Sequence, residues 1–109
     1  MRQLNKALPL ALFFVATAAN ADSLQNMTLA MNLGSVLGSE KACSLAFDQD
    51  AIRVYIEKKV KDDDMSFMST MKLSSESQES DFESMTESQK TAHCTQVKRL
   101  AAKYAFIKN

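Results

Sequence analysis

Apolar side chains in the last third of the chain fall at helical spacing: Cys94, Val97, Ala101 and Tyr104 recur at steps of three, four and three, and Leu100 and Ile107 widen the stripe. The spacing predicts a helix over 86–107 with one buried face. Thr86 followed three residues later by Gln89 forms a capping box, in which hydroxyl and amide side chains satisfy each other's orphan backbone N–H groups. Lys98, Arg99, Lys103 and Lys108 load the second half with cations, which suits the negative end of the helix dipole.

Upstream, Leu24, Met27, Ala30, Met31, Leu33 and Leu37 give a broad apolar stripe, so a first helix is expected over 22–37 with Asp22 or Ser23 at its start. Gly34 and Gly38 have small-xxx-small spacing, which in a soluble chain marks close helix packing or a local break. The helix is expected to continue or restart through 39–45, carrying Cys43 inward beside Leu37 and Leu45. Asp48 reads as the N-cap of a second helix over 49–60, with Asp50 in its first turn. That helix turns Ile52, Tyr55, Ile56 and Val60 inward, and Arg53, Glu57, Lys58 and Lys61 outward. The acids Asp62 to Asp64 suit a helix start, with Asp64 as cap and Phe67, Met68 and Met71 as the next stripe. From 74 to 84 the sequence SSESQESDFES is almost wholly polar. A solvated loop or frayed helix is expected there, pinned at its far end by Phe82 and Met85.

The chain begins differently. Met1, Arg2 and Lys6 precede the apolar run ALPLALFFVATAA, which ends at Ala19-Asn20-Ala21. A basic start, a short apolar core and an A-x-A ending are the parts of a secretory signal peptide, assigned to residues 1–21. The run is roughly 13 residues against the ~20 needed to span a bilayer, so no membrane span is expected after cleavage. Residues 22–109 are then a single helical domain, exported to the periplasm.

Both cysteines, Cys43 and Cys94, lie in the exported part, where an oxidising compartment favours their pairing. The bridge closes a loop of about 50 residues, worth roughly 4 kcal/mol in the chain-entropy account. Glycine is scarce, no proline follows Pro9, and no stretch alternates apolar with polar. A β-sandwich or barrel has little to support it. The expected fold is all-α, a small bundle of four helices stapled by one disulfide, or of five segments where 39–45 restarts on its own.

Charge is uneven. The whole chain carries 13 basic and 13 acidic residues, and the exported part is at −2. Residues 62–87 hold eight acids and one base, whereas 88–109 hold five bases and no acid. No phosphate loop or basic aromatic platform is present, so nucleic acid is not an expected partner. His93 is the only histidine and is expected on the helix surface near the bridge, which consumes the adjacent Cys94 thiol. No G-x-S-x-G turn presents a serine, and no enzymatic activity or cofactor is expected. Met65, Met68 and Met71 form M-x-x-M-x-x-M; spaced thioethers can hold Cu(I), and the same spacing also makes an adaptable core stripe.

The stretches NLGSVLGSEKAC, DDDMSF and KTAHCTQ resemble a family of small exported, single-disulfide helical proteins of alphaproteobacteria. The resemblance covers nearly the whole exported part and carries no catalytic residues. It implies a periplasmic module that binds another envelope protein, with inhibition of a peptidoglycan hydrolase as the associated activity. Asp62, Asp63, Asp64, Glu79, Asp81 and Glu83 would meet a basic rim on that partner, with exposed Phe82 or Met85 as apolar anchor. The Hde-type acid-stress chaperones share the plan of a small helical domain with one disulfide, but no aligned motif. Such a chaperone would loosen in acid and expose Met27, Met31 and Met68.

Overall fold

The computed structural model of the chain describes residues 17–108, with side-chain surroundings for 23–108. The described residues form four helices, α1 (Thr17–Gly38), α2 (Gln49–Lys59), α3 (Met65–Glu83) and α4 (Glu87–Lys103), and no strand. The segment expected as a signal peptide, 1–21, lies mostly outside them, and α1 runs across the expected cleavage point. The expected all-α bundle is what forms, stapled by Cys43–Cys94 with Cα atoms 5.4 Å apart. No described helix is long and apolar enough to cross a membrane.

The helix starts are set by their caps. Asp48 accepts from the Ala51 amide at 3.2 Å, Asp64 from the Phe67 amide at 3.0 Å, and the Thr86/Gln89 box is complete. The helix ends are less regular. Leu45 N–H donates to the Glu40 carbonyl and Ser44 N–H to the Lys41 carbonyl, with Ser44 at φ 56°. Phe106 and Ala105 repeat the pattern onto Ala101 and Ala102, with Ala105 at φ 69°. Both are Schellman closures built on a residue other than glycine. Segment 39–45 is therefore a hydrogen-bonded turn, and neither continues nor restarts α1 as a helix. Likewise α4 stops at Lys103, short of the expected Ile107, because the left-handed Ala105 turns Phe106 back into the core.

The core holds Ala30, Leu33 and Val36 of α1, Phe67 of α3, Val97 and Ala101 of α4, and two aromatics outside any helix, Phe47 and Phe106. Phe106 stacks against Tyr55, Tyr104 and Phe47 at centroid distances of 5.7, 5.4 and 5.9 Å. Its carbonyl accepts from the Asp48 amide at 2.8 Å, which locks the end of the chain to the start of α2. Helix α2 contributes only half-buried side chains, among them Ile52, Tyr55 and Ile56, on the face expected, and its C-cap Val60 is half-buried beside them.

The principal packing is α1 on α3. A Cβ at Gly34 would meet the Met71 carbonyl oxygen and lie 2.7 Å from Ser74 Cβ; at Gly38 it would meet the Ser75 carbonyl and lie 2.9 Å from Ser75 Cα. The glycine pair is a seat for the α3 backbone. Ser74 Oγ donates to the Met31 carbonyl at 2.7 Å, and Ser35 Oγ to Gln78 Oε1 at 2.8 Å. Of the two states expected for 74–84, loop or frayed helix, these contacts select helix: the small polar side chains let two helices approach closely, and tertiary packing overrides weak helix propensity.

The α1 stripe is also corrected. Leu24, Met27 and Met31 are exposed, while Ala30, Leu33 and Val36 are buried. At 100° per residue, Met31 and Leu33 stand on nearly opposite sides of the helix, and a two-layer bundle cannot cover so wide an arc.

Candidate protein-interaction surface

The seam between α1 and α3 is filled on its inner side and open on its outer side. On the open side Met27 and Met31 of α1 face Leu73 of α3 across a groove of about 500 Å³ floored by Ser35, Ser74 and Gln78. Leu73 is 69% exposed, Met27 52% and Met31 50%, an apolar surface that none of the described residues covers. Met27 and Thr70 also line a separate cleft of about 250 Å³ with Ser23, Asn26, Phe67 and Asp64. Asp81 lines the groove and Asp64 the cleft.

The expected acidic surface is thus divided by the geometry of α3. Asp62 and Asp63 are exposed in the turn before the helix. Asp64 is its cap; its Oδ1 accepts from Ser66 Oγ at 2.8 Å and from the Phe67 amide, and these two bonds hold the carboxyl below the usual carboxylate range. Asp81 faces the groove, whereas Glu79 and Glu83 line a cavity on the opposite side with Gly38, Lys41 and Phe82. Two residues along a helix is a turn of 200°, so these three acids cannot share a face.

Phe82 and Met85, expected as exposed anchors, are both half-buried. The Phe82 ring packs on His93 at a centroid distance of 6.0 Å, with Lys90 Nζ 5.3 Å from its centroid. His93, expected on the surface, is half-buried too, and its Nε2 lies 2.8 Å from Ser39 Oγ. The Ser39 hydroxyl donates its one proton to the Ser35 carbonyl at 2.8 Å, which leaves it as acceptor and assigns the ring proton to Nε2. Ser39 is only 1% exposed. The pair is a tie between the end of α1 and α4 beside the disulfide, and lacks the access and proton direction of a nucleophile and its base.

Met65 and Met68 line one pocket with Ile56 and Val60, while Met71 is half-buried against the core, so the three thioethers fan across 120° of α3. Among the described residues no three or more His, Cys, Asp or Glu side chains converge as a metal site.

Of the groove's apolar residues, Leu73 is the one that the sequence pattern did not single out, and Met27 and Met31 were expected to face inward. The signal available was phase: Leu73 is two residues from Met71 and hence on the far side of α3, and Met31 is out of phase with Leu33. Comparison with protein-family models, curated proteins and solved structures finds no match to this chain.

Proposed function

We propose that this chain is an exported protein-binding module of the cell envelope, and that it restrains a peptidoglycan hydrolase. The observation that carries the binding reading is the open α1/α3 groove, with Met27, Met31 and Leu73 on its walls and Asp81 beside them. Exposed methionines are adaptable contacts, and acids at a rim steer a basic partner. The hydrolase as partner rests on the family resemblance of NLGSVLGSEKAC, DDDMSF and KTAHCTQ. Purified protein added to a cell-wall lysis assay should slow lysis, and Leu73→Gln should weaken that effect without altering the helical circular dichroism. Unchanged lysis rates at saturating protein would rule out the inhibitor.

A client-holding chaperone of the Hde type is the second reading, favoured by the exposure of Met27, Met31 and Met68 in the folded state. Those side chains need no acid-driven loosening to reach a client. Aggregation of a model client should then be suppressed at about pH 7 as well as about pH 3. Suppression at both, with no effect on lysis, would put the chaperone first.

A further inference from the structure

We propose that Met27, Met31, Met65 and Met68 are sulfoxidation sites, at which the folded chain takes up oxidants of the hydroperoxide class. The proposal needs no partner in the α1/α3 groove and goes beyond the binding reading. Of the chain's seven methionines, Met1 lies outside the described residues. Four of the other six are exposed: Met65 is 71% exposed, Met27 52%, Met31 50% and Met68 36%. Met71 and Met85 are half-buried, and Met71 packs against the core. No described methionine belongs to the buried hydrophobic core, which is built of Ala, Leu, Val and Phe alone. Both cysteines are held in the Cys43–Cys94 bridge, so the chain offers no thiol to intercept an oxidant first, and it has no tryptophan. The exposed thioethers are therefore the side chains an oxidant meets first.

In the reaction the thioether sulfur attacks one oxygen of the hydroperoxide, and an S–O bond forms as the O–O bond breaks. The departing hydroxide or alkoxide takes the proton from the transferred oxygen, leaving a sulfoxide and one water or alcohol. Sulfur loses two electrons, and the two peroxide oxygens take them up. The product carries a polar oxygen on what was an apolar side chain. At an exposed position water solvates that oxygen and the fold keeps its packing. At Met71 the same oxygen is pressed against the apolar core, on the turn of α3 whose carbonyl sits over Gly34, and its desolvation is not offset. Susceptibility and tolerance thus run in the same direction: the thioethers that react soonest are those whose oxidation leaves the bundle intact.

The test treats the purified chain with hydrogen peroxide and follows sulfoxide at each methionine by peptide mass spectrometry. Met65 should react at least about fivefold faster than Met71, with Met27 and Met31 between them. In urea that unfolds the chain, the rates should converge to within about twofold, because exposure is what separates them. Protein converted at Met27, Met31, Met65 and Met68 should keep its helical circular dichroism, and further oxidation at Met71 should lower its urea midpoint. Met65→Leu should remove the fastest phase of oxidant uptake, whereas Met71→Leu should leave that phase in place. Equal rates at Met65 and Met71 in the folded chain overturn the proposal. So does loss of the helical signal before the four exposed sites are converted.

Discussion

At the scale of single residues, Ser44 and Ala105 hold left-handed backbone geometry although each carries a Cβ that disfavours it. Glycine at the same place removes the steric penalty and leaves both Schellman hydrogen bonds intact. Ala105→Gly should therefore raise stability by about 1 kcal/mol, read as a higher urea midpoint at unchanged slope. A loss instead would mean that the Ala105 methyl makes packing the backbone accounting omits. Asp64 offers a test by pH. Bonds from Ser66 and Phe67 depress its folded pKa, so its stabilisation is complete above the unfolded value near 4 and disappears as pH falls through the folded one. Asn retains the capping geometry without the titration. Melting temperatures between about pH 2 and 5 should fall less steeply for Asp64→Asn than for the parent chain. Parallel curves would show that other carboxylates govern acid sensitivity.

At the scale of elements, the bundle depends on how closely α3 approaches α1. The carbonyls of Met71 and Ser75 occupy the space where side chains at Gly34 and Gly38 would begin. Gly34→Ala gains helix propensity in α1, yet the clash is with backbone, which cannot rotate away. Overpacking should win, lowering stability by about 1–3 kcal/mol, with exposed Ser77→Ala as a control expected within about 0.5 kcal/mol of the parent. A stabilised Gly34→Ala protein would show that the helices separate at no cost. The seat also explains why 74–84 reads as loop or frayed helix in one dimension. Its serines are poor helix formers and carry no apolar stripe, and what makes them helical is a partner surface forty residues upstream.

At the scale of the whole molecule, the disulfide fastens the turn after α1 to α4 across a sequence separation of 51. Around it lie the Ser39–His93 hydrogen bond and the Phe82–His93 contact, so covalent and polar ties converge on one end of the bundle. Cys43→Ser, or reduction, should lower stability by roughly 2–5 kcal/mol, measured by denaturant unfolding with and without reductant. A loss well below that would mean that the turn 39–44 holds its place without the bridge. The opposite end is closed by aromatic stacking of Tyr55 on Tyr104 at 5.0 Å and of both on Phe106. Burial raises both tyrosine hydroxyl pKa values, with the neighbouring Tyr104 adding to the effect at Tyr55.

By itself, the sequence determined what depends on neighbours within a turn or two. The caps at Asp48, Asp64 and Thr86, the inward face of α2 and the class of the fold were legible because capping and helical phase are local. The pairing of Cys43 with Cys94 was legible because only two cysteines exist. Tertiary structure alone decided which part of an over-wide apolar arc is covered. It turned Leu33 and Val36 inward and left Met27 and Met31 in solvent, since a helix in a two-layer bundle has partners on only part of its circumference. It also placed Phe47 and Phe106 in the core, where no periodicity could mark them, because irregular backbone aims a side chain by its turns and not by its spacing. The candidate groove follows from the same cause: Leu73 and Asp81 stand opposite Met27 and Met31 only once α3 is seated on the glycines of α1.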